Sequence, residues 1–493
     1  MGRRDALLRL SIMAALLLGG AMAPVFAADV KNLSVTVSSG TQANAYGGYT
    51  IEEGASALQN ALTLSGPAKV LGASAGGWSR WGNAEWNTLT IRLDEDGLLG
   101  PSDIVGGGVA ESEGGGAAVH NTVYIESGTV EGTVEGGVAV GINGVGDGTG
   151  DVLSNQVTMS GGTVYSVFGG ETGERNANDN VVTIKGSAAV TGKSNAVYGG
   201  YTIDGNASGN IVNIEDDADI HGEIMGGYTR AGSLISGNKV NVTGGNVNEN
   251  TVYGVYTAYG DVLDNQAVIK GTGQAGSSDT NSVYAGFTNI GAAAGNILYI
   301  QDSAEIAGSA FAGYQGGFIS SETVERNQVF MSGGSVGGDL TGGGSNNGGE
   351  TLNNYVEITG GTVSGNAYSG FTDSADALEN TLTVAGGRVE GSLFGGYSNT
   401  GTANENKLTF SAGTAGSDAY GGYAQEGADG NEAVLSGTSV LEGNAAGGSS
   451  ARGEASGNSL TIKENSEVKG DAAGGDVYMG TISKNIITIQ YNA

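Results

Sequence analysis

One residue, returning at nearly even spacing, constrains this chain more than any other feature. Asparagine recurs at Asn60, Asn87, Asn121, Asn155, Asn180, Asn210, Asn238, Asn265, Asn296, Asn327, Asn354, Asn380, Asn406, Asn431, Asn458 and Asn485, at intervals of 25 to 34 residues. In each unit the residues two and four places on are apolar, as in Leu62 and Leu64, Val182 and Ile184, Val356 and Ile358, or Ile487 and Ile489. Those between are mostly polar, among them Thr63, Thr183, Glu357 and Thr488. Period two is the signature of a strand, and it puts the asparagine on the same face as the apolar pair.

After each such strand comes a glycine turn and a short apolar stretch, as in Gly360-Gly361-Thr362-Val363. A third element follows, an aromatic or apolar residue before Gly-Gly-Tyr: Tyr46-Gly47-Gly48-Tyr49, Tyr198-Gly199-Gly200-Tyr201, Phe394-Gly395-Gly396-Tyr397 and Tyr420-Gly421-Gly422-Tyr423. A unit this small cannot bury its apolar face alone, so it must stack on its neighbours. The sequence therefore predicts an all-β fold, a right-handed parallel β-helix of about sixteen coils of roughly 27 residues, with three short strands per coil. Residues 28–59 form an N-terminal capping or first coil, and 60–493 the repeat domain with an open C-terminal end. Asn32-Leu33-Ser34-Val35-Thr36-Val37 carries its apolar residues one position out of the anchor register, as a capping coil would. At the other end Ile486, Ile487 and Ile489 make the last strand strongly apolar, and an uncovered end of that kind is expected to fray or to pair end to end.

Sharing a face with the core pair, the asparagines should point inward. Their amides can then hydrogen-bond from coil to coil, the arrangement that satisfies buried amides. Asn180, Asn210, Asn238, Asn296, Asn354, Asn380, Asn406 and Asn458 are the clearest members of this ladder. The competing reading is a turn asparagine tolerating left-handed geometry.

The 94 glycines and 3 prolines fit many tight turns between short strands, whereas 39% hydrophobic residues is too many for a disordered linker. Residues 1–27 read as a signal peptide: Arg3, Arg4 and Arg9 precede an apolar run from Leu10 to Ala23, and Val25-Phe26-Ala27 suits cleavage after Ala27. This implies export through the inner membrane to the cell surface, the extracellular space or the periplasm. The chain carries a formal charge of −31, and removing the three arginines and one aspartate of the signal leaves −33. That charge argues against nucleic acid as a partner and favours solubility, cations or basic partners. Without cysteine there is neither a disulfide framework nor a thiolate metal site.

The unit Asn-x-Val-x-Ile-x-Gly-Gly-x-Val-x-Gly…Tyr-Gly-Gly-Tyr-Thr, clearest over 180–202 and 354–372, resembles the glycine-rich repeats of Gram-negative autotransporter passenger domains, over nearly all of 40–493. The resemblance implies a surface-exposed or released β-helix acting in adhesion or aggregation. Its partners would be a host or bacterial surface glycan or protein, or copies of itself. One departure is that such proteins end in a translocating β-barrel, whereas this sequence stops at Tyr491-Asn492-Ala493; a truncated chain or a separate outer-membrane translocator would account for that.

Catalytic signals are sparse. His120 and His221 have no ligand partners at metal spacing. Ser74 and Ser335 each sit in a Gly-x-Ser-x-Gly string, which needs a strand-to-helix turn and a histidine to act as a nucleophile elbow. Asp94-Glu95-Asp96 and Glu215-Asp216-Asp217 are the densest carboxylate runs and read as solvated corners. No cofactor is expected; the run Gly146 to Asp151 carries one weak copy of a calcium-type repeat. The chain is thus expected not to be an enzyme. Its rivals are a polysaccharide lyase or hydrolase on the same fold, discriminated by a groove with paired carboxylates, and a calcium-stabilised structural exoprotein.

The binding candidates are aromatic. Trp78, Trp81 and Trp86 fall within nine residues and suit either ligand binding or capping of the open N-terminal end. The aromatics before and after each glycine pair are three positions apart. On an unbent strand one set would be core and the other an exposed stripe, either Phe168, Tyr198, Tyr253 and Tyr284 or Tyr201, Tyr228, Tyr256, Phe287 and Tyr314. A bend at the glycines would bury both. Tyr397 and Tyr423 belong to the second set.

Overall fold

The computed structural model describes residues 29–490, apart from 102–103, 112–114, 142–147, 195, 249, 277–282, 318–321 and 347. The expected signal segment 1–27, the last three residues and Gly146–Asp147 lie outside the described residues. Among those described, every regular element is a strand and none is a helix. The strands pair in parallel, each with its counterpart one coil away, making a β-solenoid of about 16 turns.

The coil of Asn354 shows the plan. Its anchor strand is Tyr355–Ile358, its second strand Thr362–Val363 and its glycine strand Ala367–Thr372. Beside these three expected strands runs a fourth, Ala377–Leu378, just ahead of the next asparagine. Two residues long, it is held by backbone bonds to the coils on either side and leaves little trace in the sequence. Val356 pairs with Val329 and Leu382, and Ile358 with Met331 and Val384, so like stacks on like. The anchor pairs and the facing residues of the other strands form one continuous core, nearly all of it inaccessible to solvent.

The asparagines point inward and form the ladder. Asn354 Nδ2 donates to Asn380 Oδ1 at 2.9 Å and to the Val324 carbonyl at 2.9 Å, while its Oδ1 accepts Asn327 Nδ2 and the Asn327 backbone N–H, both at 3.0 Å. Every polar group of the side chain is therefore used, and the same set recurs down the stack. The left-handed geometry expected of a turn asparagine is present too, but one residue earlier: Asn353 (φ 54°) and Glu379 (φ 55°) hold it, directly before Asn354 and Asn380.

The second glycine of each pair exists to make room for this amide. A Cβ on Gly343 would lie 2.4 Å from Asn354 Cγ, and one on Gly370 equally close to Asn380. Val255 is the exception. It takes the corresponding place in register with Gly227, and there the amide gives way, since Asn265 Nδ2 reaches the Ile235 carbonyl only at 3.3 Å.

The first coil corrects the register expected for it. Val35 and Val37 pair with Leu62 and Leu64, squarely in line. Leu33, not Asn32, fills the anchor position, and its N–H donates to Asn60 Oδ1 at 3.1 Å. Asn32 instead takes the left-handed place before it, at φ 58°. With leucine there, the row of amides ends at Asn60, whose Oδ1 takes the Leu33 N–H.

Candidate functional site

The glycine strands carry the aromatic residues, and the glycine pair decides where they point. In Ala310–Gln315 the buried residues are Ala310, Ala312, Gly313 and Gln315, with Phe311 and Tyr314 facing outward. Two consecutive inward residues break the strict alternation of a strand, so residues three apart share one face. Both sets stand on the same side of the glycine strand, outside the continuous internal core; the first is the more covered, with Phe168, Tyr198, Tyr368 and Phe394 buried, and the second packs half-buried against it.

The result is two columns of rings running along the axis. Tyr201, Tyr228, Tyr256 and Phe287 stack at 4.8, 5.7 and 5.1 Å with interplanar angles of 6°, 2° and 8°. Beside them Tyr253, Tyr284 and Phe311 stack at 5.2 and 5.0 Å. The two columns meet edge to face, as between Tyr253 and Tyr256 at 75°. Stacking along a column and T-shaped contact across it are the two arrangements the ring quadrupole favours. A second run holds Tyr368, Phe394 and Tyr420 beside Phe371, Tyr397 and Tyr423. Tyr201, Tyr228 and Tyr256 are thus brought together, and Tyr397 with Tyr423, while the coil of Thr341 and Gly344 separates the two groups. Burial raises the phenol pKa of Tyr228, Tyr253, Tyr397 and Tyr420; Tyr201 is pushed up to about 12, by burial first and then by Tyr228 and Glu171. At neutral pH these tyrosines therefore present phenol hydroxyls, not phenolates.

The three tryptophans do not share a site. Trp78 lies in the glycine strand between Tyr49 and Val109, only 8% exposed, with its indole N–H on Glu111 Oε1 at 2.8 Å. It meets Tyr46 edge to face at 5.4 Å and Tyr49 at a tilt at 6.4 Å, and a coil lies on either side of it, so it does not cap the end. Trp86 is on another face, in the left-handed place before Asn87, 56% exposed and stacked on His120 at 4.2 Å. Trp81 sits half-buried in the turn between them.

The carboxylate runs are corners. Asp94, Glu95 and Asp96 are exposed, and Asp216 accepts the Gly186 N–H. His221 is exposed with Asp219 Oδ2 2.9 Å from its Nε2. No group of three metal-type ligands occurs among the described residues. The notable acids lie elsewhere. Glu135 takes the place of a ring in the first column, in register with Phe168, and Glu171 takes one in the second, in register with Tyr201. Glu135 is 1% exposed. The two side chains hydrogen-bond to each other, and burial raises the Glu171 pKa to about 7. An ionised carboxylate can only accept, so the pair holds a proton between them. Sequence reading missed these acids because they stand 36 positions apart; only the alignment of Gly136-Gly137 with Gly169-Gly170 could have found them.

No protein-family model, no curated protein and no solved structure matches the chain. Fold and face together define a class all the same: a parallel β-solenoid with a double aromatic column along one side.

Proposed function

We propose that this is an exported, surface-displayed or released β-solenoid that works by binding, in adhesion or aggregation, through its aromatic face. The observation that supports this most is the double column itself. Rings recur outside the internal core in coil after coil, the second set only half-buried, and amphipathic aromatics are what glycan and protein contacts use. The signal-like N-terminus and the resemblance to autotransporter passengers support export. The test is adhesion of beads coated with the protein to glycan- and protein-coated surfaces. Replacing Phe371, Tyr397 and Tyr423 together by Ser should weaken adhesion severalfold, and equal adhesion of the two proteins would sink the reading.

The Glu135–Glu171 pair favours a second reading, a carbohydrate-active enzyme on the same fold. Against it stands geometry. Glycosidase carboxyls lie about 5–5.5 Å apart in retaining enzymes and further in inverting ones, leaving room for the bond between them, whereas these two touch. Release of reducing ends from a polysaccharide panel, abolished by Glu171→Gln, would establish the enzyme instead.

A further inference from the structure

Within a column each ring is covered above and below by its neighbours, so the middle of the face offers ring edges and hydroxyls but no free ring face. A face becomes available only where a ring is missing. Gly344 lies in register between Tyr314 and Phe371, and Thr341 between Phe311 and Tyr368, so both columns are interrupted in one coil. Coils rise about 4.8 Å each, which sets Tyr314 and Phe371 about 9.6 Å apart along the axis. A ring in contact on both faces needs about 7–8 Å.

In this structure Tyr314 itself takes up the slack. It is tilted 28° from Phe287, where the other same-column stacks of this run lie 2° to 12° from parallel. Its Cδ2 lies so close over Gly344 that a Cβ there would come within 2.8 Å. Thr341, between Phe311 and Tyr368, is only 2% exposed. A ligand enters the break only by displacing the Tyr314 ring from over Gly344.

We propose that the break at Gly344 is a subsite for a single pyranose ring, sandwiched between Tyr314 and Phe371. It rests on the binding reading above and gives it a location and a ligand class. A pyranose has apolar C–H faces for the two rings and hydroxyls around its edge. The charged groups beside the break are Asp339, whose Oδ1 accepts the Asn366 N–H at 2.7 Å while Asn366 Nδ2 donates to the Tyr368 hydroxyl at 2.9 Å, and Asp373, whose Oδ1 accepts Asn399 Nδ2 at 2.8 Å; each carboxylate keeps its second oxygen for a ligand. Carboxylates accept hydroxyl and ammonium protons and repel other carboxylates. The sugar is therefore neutral or amino, not a uronic or sialic acid. An aromatic side chain of a partner protein matches the width but brings no ring of hydroxyls for the two acids.

The test is calorimetric titration of the full chain with tetramers of glucosamine, of N-acetylglucosamine and of galacturonic acid. At least one of the first two should bind, and the third should not. Completing the columns with Gly344→Phe and Thr341→Tyr should cut affinity at least about tenfold without lowering the melting temperature. Phe371→Ala, which removes one wall at a column end, should do likewise, and serves if the double variant folds poorly. Tyr228→Ala, in mid-column, should change affinity by less than about twofold. Binding that survives both the filled break and Phe371→Ala overturns the subsite, as does failure of all three tetramers to bind. In either case, adhesion lost on replacing Phe371, Tyr397 and Tyr423 leaves the broader reading standing.

Discussion

The amide nitrogen of Asn354 lies 2.9 Å from Oδ1 of Asn380, and the same oxygen takes the Asn354 backbone N–H at 3.0 Å. One side-chain atom thus closes two bonds between coils inside an apolar core. Replacing Asn354 by Ala would strand the Asn327 N–H, the Asn327 amide and the Val324 carbonyl at once. We expect a cost of about 1–3 kcal/mol, against less than about 0.5 kcal/mol for Thr359→Ala on the exposed side. Because solenoid stability is a sum over neighbouring coils, hydrogen exchange of the flanking strands is the measurement of choice. Matching protection in the two variants would count against the ladder's importance.

Gly343→Ala should be costly for a reason independent of backbone freedom. Its Cβ would sit 2.4 Å from the Asn354 amide, and overpacking of this kind costs about 1–3 kcal/mol. Gly54→Ala is the contrast: φ is +75° and nothing lies within 4 Å of the new atom, so only backbone strain of about 1 kcal/mol is expected. A melting temperature lowered more by the second substitution than by the first would refute the packing account.

The left-handed place before each asparagine offers a stabilising change. Glu379 holds φ 55° there and is exposed, whereas Gly209, Gly237, Gly295, Gly430 and Gly457 fill the same place in other coils. Glu379→Gly should gain about 0.5–1 kcal/mol, the relief of strain outweighing the greater freedom of the unfolded chain. Chemical denaturation that shows no gain would mean the coil relaxes the strain already.

Glu171 makes stability depend on pH. Its pKa is raised in the folded chain to about 7, by burial, so the folded state binds a proton the unfolded state has already released. That contribution is complete below the ordinary glutamate value and is lost as pH rises through about 7. Between pH 5 and 8 the chain should lose on the order of 2 kcal/mol through this pair. Glu171→Gln should flatten the fall, which separates it from the general repulsion among the acids. An unchanged pH profile would show that the proton is not shared.

How much of this was legible follows from what each feature needs. The anchor strands could be read because the same residue type does the same job in every coil, with parity to mark the face. The aromatic face could not, since alternation assumes an unbent strand and the glycine pair bends it. Leu33 escaped because a search for asparagine passes over the residue that ends the row. A second ladder escaped too. At the corner before the glycine strand, Asp339 Oδ1 accepts the Asn366 N–H at 2.7 Å, Asn366 that of Ser392, Ser392 Oγ that of Asp418, and Asp418 that of Asn444. The task there requires only a side-chain oxygen, so the residue changes from coil to coil and leaves no pattern.

The two ladders point in opposite senses. In the core, each coil holds out N–H groups for the oxygen of the asparagine that follows; at the corner, each holds out an oxygen for an N–H that follows. A newly arriving coil is therefore proofread twice, once for what it accepts and once for what it donates, at two points on its circumference. A slip of one residue fails both inspections. That is how intervals as uneven as 25 and 34 residues coexist with anchor positions that stay in register from coil to coil, even where a strand shifts register further on, as after Ile91: the count restarts at every asparagine.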